Sequence, residues 1–272
     1  MTDAKALKER TITIIDSMRD DFIRISSTIQ ANPEIAFQEF KSAALLCGAL
    51  ESHGFAVERG AGGLETAFIA EVTEKKEGPT IAILAEYYAL PELGHACGHN
   101  IIGTSAIAAG IALSKIIKDL PGRVVVIGTP AEEGGGGKVI LLQNGVFEGV
   151  DAAMMVHPAG RTMVDRGSLA SMRLTIEFKG KASHAAAAPE DGINALEAVI
   201  LTFNNVNALR LHLKSDARVH GIITNDGSAE NVIPEFASAI FSIRAASQAY
   251  AQEVLERVIQ CAQVAGIATG AK

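Results

Sequence analysis

Residues 80–100 read TIAILAEYYALPELGHACGHN. A branched apolar run, Thr80 to Leu84, gives way to a loop from Tyr87 to Asn100 that is dense in Tyr, Pro, Gly, His and Cys. A small-residue apolar stretch from about Gly103 to Lys118 follows. By periodicity this is a strand, a loop carrying reactive side chains, and a helix. Pro121-Gly122 turns the chain into a second apolar run, Arg123 to Gly128. A third, Ala152 to Val156, comes after a Gly-rich loop and a helical stretch, Val139 to Gln143. Short strands rich in branched side chains, alternating with helices, predict an α/β unit whose sheet is mostly parallel, doubly wound and buried.

Upstream, Ile12, Ile15, Met18, Phe22 and Ile25 recur at helical spacing and predict one long amphipathic helix ending near Asn32-Pro33. A second helix, Phe40 to His53, stops at Gly54, and a strand is expected over Thr66 to Val72. Downstream of His157-Pro158 the rhythm changes. The segment Ala159 to Ala170 has no period, so two domains are expected, residues 1–166 and 167–272. The second reads strand (Met172 to Phe178), helix (Ile193 to Leu213), strands (Arg218 to Thr224, Phe236 to Ile243) and a helix from Gln248. That order matches an α+β split βαβ unit lacking its last strand, which would begin where the chain stops at Lys272.

Composition narrows the function classes. With 24 Lys+Arg against 31 Asp+Glu the chain carries a net charge of −7, without long basic runs, which argues against a nucleic-acid partner. No Trp and only 5% aromatic residues leave little for base stacking. The longest apolar stretch, Ile101 to Leu113, is interrupted by Gly103, Thr104, Ser105 and Gly110, and is too short for a membrane span. Cys47, Cys97 and Cys261 are too scattered for a disulfide framework, so a reducing, cytoplasmic setting is expected.

In a doubly wound sheet, functional groups gather beyond the carboxyl ends of the strands. After Thr80–Leu84 come Glu86, His95, Cys97 and His99; after Arg123–Gly128 come Glu132 and Glu133; after Ala152–Val156 comes His157. Thiolate, imidazole and carboxylate converging from three strands suit a zinc-like ion. An adjacent Glu pair allows one carboxylate on metal and one left as a base. Singly, each residue has a plainer reading. His95 reads as a hydrogen-bonded loop histidine, Cys97 as a small buried hydrophobe, the Glu pair as a solvated turn and His157 as a strand cap. Their joint occurrence favours the metal. The Gly134–Gly137 run fits neither a phosphate-binding loop nor a dinucleotide fingerprint, and no G-x-S-x-G elbow exists.

The strings AEYYALPELGHACGHN (85–100) and GTPAEEGGGGK (128–138) resemble the aminoacylase/carboxypeptidase metallopeptidase superfamily, in particular its amidohydrolase branch. NPEIAF (32–37), Ser183-His184-Ala185 with Pro189, and NVIP (231–234) resemble further motifs of that family. The resemblance implies a catalytic domain holding two divalent ions. Zinc is favoured by the mixed donor set, and manganese is the alternative. Cys97, His99, Glu133 and His157 would be ligands, and Glu132 the general base acting on metal-activated water. It also implies an inserted lid that makes a homodimer, with His184 polarising the scissile carbonyl in the partner's active site and Asn231 and Arg244 holding the substrate carboxylate. The substrate would be an N-acyl amino acid or a dipeptide, with no nucleic acid or membrane as partner.

Two departures qualify what the resemblance implies. Relatives carry Asp where this chain has Tyr88, and a neutral phenol does not supply the carboxylate's charge. Relatives also run on past the lid to a last His ligand, whereas no histidine here lies beyond His220, so the chain reads as a truncated form with an incomplete catalytic domain. An impaired or inactive metal-binding, dimer-forming subunit is therefore the alternative function, with a redox role for Cys97 as a third option.

Overall fold

The computed structural model describes residues 4–72, 77–164 and 167–272. They form two compact units, Met1–Thr162 and Met163–Lys272. The boundary expected between residues 166 and 167 adjoins residues 165–166, which lie outside the described residues.

The first unit is built on a five-stranded sheet of β1 (Phe55–Arg59), β2 (Phe68–Val72), β3 (Thr80–Ala85), β4 (Arg123–Gly128) and β5 (Ala152–Met154), in the order β1-β2-β4-β3-β5. β3 pairs in parallel with β4 and with β5, while β2 is antiparallel to both its neighbours. Four strands thus share one direction and β2 alone runs against them. Alternate residues of β4 serve opposite faces, as the two-residue period of a strand requires. Val126 joins Leu46, Leu50, Phe68 and Ile107 on one side, whereas Val125 and Ile127 pack with Ala82 on the other. The first of these faces is covered by α2 (Arg19–Ala31), α3 (Phe40–Ser52) and α4 (His99–Ser114).

Three local expectations need correction. The predicted long N-terminal helix is two, α1 (Ala4–Ser17) and α2, broken at Met18 with φ −111° and ψ 11°. No breaker residue marks the site. The reason is packing: α2 buries Phe22, Ile25 and Ile29, and α1 buries none of its residues. β1 was not expected at all, because only Phe55 is buried in it and the rest of the strand lacks an apolar run. β5 is shorter than predicted, lies at the sheet's edge, and has all three of its residues exposed.

The second unit is a three-stranded antiparallel sheet of β6 (Ala170–Lys179), β7 (Arg218–Asn225) and β8 (Phe236–Ala245), in the order β6-β8-β7. α7 (Ala195–Arg210) and α8 (Gln248–Thr269) pack on it around Val199, Phe241, Val254 and Val258. Both helices start on side-chain caps. Asn194 accepts from the N–H groups of Leu196 and Glu197, and Ser247 accepts from Tyr250, satisfying donors that the first turn leaves free. The strand order 1-3-2 with two helices is the split βαβ arrangement. Lys272 exchanges both backbone hydrogen bonds with Lys179, at 2.7 and 2.9 Å. Among the described residues no helix is long and apolar enough to cross a membrane.

Leu46 is fully buried where α3 meets the sheet. Leu46→Ala is expected to destabilise the first unit by about 2–5 kcal/mol. In a urea titration this reads as a lower midpoint for that unit's transition at unchanged slope.

Candidate metal centre

The site of the first unit lies beyond the carboxyl ends of β3, β4 and β5. Running on from β3, Glu86, Tyr87, Tyr88 and Ala89 are all buried, and the chain loops back to enter α4 at His99. Gly98 caps that helix at φ +76°, a left-handed conformation that costs glycine little. A Cβ there would also lie 2.9 Å from Pro158 Cγ, so the absence of a side chain lets the chain beyond β5 close on the Cys97-Gly98-His99 turn. His157 arrives through this contact. Its ring stands edge-on to His99, with centroids 5.8 Å apart.

The Glu pair arrives by a different device. Ala131, fully buried, holds φ +55°, unusual for a residue with a Cβ, and redirects the chain from β4 into α5 (Glu132–Gly135), with α6 (Gly137–Gln143) following. Both carboxylates leave this elbow exposed. Glu133 Oε1 lies 3.4 Å from Cys97 Sγ, and Glu132 Oε2 lies 3.4 Å from the Tyr88 hydroxyl. The Tyr88 hydroxyl in turn accepts the Glu133 backbone N–H at 2.8 Å.

Two ligand groupings result, and His99 belongs to both. Cys97, His99 and Glu133 present donor atoms all within 4.8 Å of one another, and so do Glu86, His99 and His157. His99 is the pivot. Its Nδ1 faces the Tyr88 carbonyl oxygen at 2.9 Å, which makes Nδ1–H the donor and leaves Nε2 with a lone pair. Nε2 is buried without a hydrogen-bond partner, 3.6 Å from a Glu86 carboxylate oxygen. A buried lone pair facing carboxylates and a thiol is an arrangement that a divalent cation satisfies. The mixed N, S and O donors fit a zinc-like ion.

All four expected ligands, Cys97, His99, Glu133 and His157, therefore lie in these two groupings, with Glu132 beside them. Glu86 is the residue that sequence reasoning noted at a strand end and left unassigned. It is buried and ion-paired with Lys138, the residue that closes the Gly run. Its signal was its position one residue past β3. His95 is not the well hydrogen-bonded loop histidine of the plainer reading, since neither buried ring nitrogen has a partner in good hydrogen-bond geometry. Burial, and then the neighbouring His99, lower its pKa from the ordinary 6.5.

The Cys97 thiol is raised above its ordinary 9.0, first by burial, then by donating to Glu133 and by the surrounding Glu133, Glu132 and Glu86 charges. Burial likewise pushes the Tyr88 phenol far above its ordinary range, so it is a neutral hydrogen-bonding group.

In the second unit, His184 lies in the segment between β6 and α7 and forms an isolated bridge with Val232. Its Nδ1 accepts from the N–H groups of Ala186 and Ala187, each at 3.2 Å, so the neutral ring carries its proton on Nε2. Asn231 is adjacent, its carbonyl accepting the Ala185 N–H at 2.9 Å. Arg244 is exposed near the far end of β8, in register with Ser171 and Arg218. At ~3.3 Å per residue, the strand from Phe236 separates it from the Asn231 end by roughly 26 Å. The structure brings His184 and Asn231 together and leaves Arg244 apart from them.

A family model described as a peptidase dimerisation domain matches residues 166–268. A Bacillus subtilis N-acetylcysteine deacetylase is 30% identical over 91% of this chain and 70% of its own length. The chain belongs to the M20 peptidase family. A mouse Xaa-Arg dipeptidase is 38% identical over 98% of this chain and 65% of its own length. One component of the Escherichia coli p-aminobenzoyl-glutamate hydrolase is 40% identical over 94% of this chain and 57% of its own. The M20 chain thus spans less than two thirds of each of these last two relatives. A solved Bacillus subtilis dinuclear metal-binding peptidase of the family superposes with a TM-score of 0.70 at 25% identity, over 94% of this chain and 72% of that one.

Because Glu133 holds the Cys97 proton in place, the chelator-treated protein is expected to alkylate slowly at Cys97 at pH 8. The rate should still be rising with pH beyond 9.0, the thiol's ordinary value. Glu133→Gln removes the neighbouring charge that raises the thiol most and should speed the reaction, as followed by peptide mass spectrometry with iodoacetamide.

Proposed function

We propose that this chain carries out metal-dependent hydrolysis of an amide bond in an N-acyl amino acid or dipeptide. The observation that carries the reading is the partnerless buried Nε2 of His99, shared between two clusters of metal-ligating side chains. The substrate class is supported by the relatives, one a dipeptidase and one a hydrolase of an aminobenzoyl-glutamate.

Cys97, His99, Glu133 and His157 would hold two divalent ions, zinc by the chemistry of the donors, with manganese as the alternative. Such ions polarise a carbonyl and bring the pKa of bound water to about 7. The chain's own groups do the rest. Glu132, exposed at the elbow and left out of both ligand groupings, takes the proton from the attacking water and returns it to the leaving nitrogen. In the homodimer, His184, with its proton on Nε2, would donate to the acyl oxygen in the partner's active site as charge develops there. Asn231 binds the substrate carboxylate, a role supported by its place beside His184. For Arg244 the same role rests on the family resemblance alone. Residues 1–166 would then be the N-terminal part of the catalytic domain and residues 167–272 a lid through which a cytoplasmic homodimer forms.

One observation favours the alternative, a catalytically impaired subunit. The Tyr88 hydroxyl lies 3.4 Å from a Glu132 carboxylate oxygen and, by donating to it, occupies an acceptor position that the proton of the attacking water would otherwise use. Glu132→Gln is expected to lower kcat on acyl-amino acids by about 10²–10⁴-fold. Zinc content should stay unchanged, and chelation should abolish turnover. Activity that survives both treatments defeats the hydrolase reading. Tyr88→Asp should tighten zinc binding by about 10–100-fold if the phenol is what weakens the centre. Unchanged affinity and turnover would remove Tyr88 as a cause of impairment.

A further inference from the structure

One buried carboxylate near the site has no part in the chemistry above. Glu39 is fully buried just before α3. Its Oε1 accepts the Phe37 backbone N–H at 3.0 Å and its Oε2 accepts the Thr66 hydroxyl at 3.0 Å. Thr66 is itself fixed, its carbonyl accepting from the buried Tyr87 hydroxyl. Glu39 is therefore tied at once to the segment before α3 and, through Thr66, to the turn that leads into β2.

What it holds is strained. Phe37 sits at φ +62° and Ala131 at φ +55°, both in the left-handed region although each has a Cβ. Such conformations cost about 1–3 kcal/mol and persist where the surroundings fix them. The two turns interlock. A Cβ on Gly135 would lie 2.1 Å from the Phe37 ring, and one on Gly134 would lie 2.8 Å from Ala36 Cβ. The underside of the Glu132–Gly135 turn thus rests on Ala36 and Phe37, and the Phe37 turn is closed by Glu39. No water-facing role accounts for a carboxylate placed this deep, whereas bracing the strained elbow does.

We propose that Glu39 is a positioning residue: by closing the Phe37 turn beneath the Ala131 elbow, it fixes the direction in which Glu132 and Glu133 leave the sheet. Its consequence for metal binding rests on the metal-hydrolase reading, whereas its geometry does not. The role calls for an acceptor at Oε1 and a polar partner for Thr66, not for a negative charge. Glutamine meets both needs, because its amide N–H can donate to the Thr66 oxygen.

The test compares Glu39→Ala with Glu39→Gln at a temperature where circular dichroism shows each variant folded. Zinc affinity is measured against a competing chelator, and Cys97 alkylation is measured in chelator-treated protein. Glu39→Ala is expected to weaken zinc binding by about 10–100-fold, the range for lost support of a ligand. It should also speed Cys97 alkylation severalfold, because Glu133 no longer sits on the thiol. Glu39→Gln should remain close to wild type in both. Wild-type behaviour of a folded Glu39→Ala overturns the proposal, and so does a Glu39→Gln as damaged as the alanine variant, which would mean the charge itself matters. If Glu39→Ala does not fold, Gly135→Ala tests the same interlock from the other side, by driving a methyl group into the Phe37 ring. It should reproduce both effects, and normal zinc affinity and alkylation in it would overturn the bracing. If wild-type protein takes up no zinc, the metal-centre reading fails, while the alkylation comparison still decides the role of Glu39.

Discussion

A buried imidazole nitrogen without a partner is the constraint around which the first unit is organised. His99 is held by its other nitrogen to the Tyr88 carbonyl, by the Tyr88 ring at 4.1 Å between centroids, and by its place at the start of α4. None of these contacts satisfies Nε2. Leaving such an atom unpaired in a protein interior costs on the order of 1–3 kcal/mol. The cost is tolerable where a ligand that bonds to that atom is to be bound. Glu86, Cys97, Glu133 and His157 are arranged around the same nitrogen, delivered by the connections that follow β3, β4 and β5.

That arrangement depends on backbone conformations more than on side chains. Three left-handed residues close to the site, Gly98, Ala131 and Phe37, each reverse a segment within a few residues of a reactive group. Gly98 lets Pro158 approach, Ala131 turns β4 outward and Phe37 lies beneath the resulting turn. Strain of this kind persists only where surrounding contacts over-determine it. Hydrogen bonds to a buried carboxylate and the packing of glycine against an aromatic ring supply that determination here.

Much of this was legible in the sequence because chemistry-bearing residues stand directly after apolar runs. The β3, β4 and β5 segments and α3 were read within a few residues, and reactive side chains past the strand ends marked a metal-binding set, from which the family resemblance named four ligands. What was not legible has physical reasons. β1 carries one buried residue and becomes a strand by pairing with β2, a contact invisible along the chain. The break at Met18 comes from which helix the core covers, since the apolar spacing runs through it unaltered. The Glu86–Lys138 pair joins residues 52 apart, and nothing local marks it.

By itself, the amino-acid order determined the elements, their α/β and split βαβ grouping, and the set of side chains able to hold a metal, because periodicity and residue type are local properties. Only the tertiary structure decided that His99 is shared by both clusters, that the Cys97 thiol donates to Glu133, that Tyr88 lies between the two glutamates, and that Glu39 braces them. Each of these is a distance between segments far apart in the chain. Such distances are set by which faces pack together and by how sharply the connecting backbone can turn.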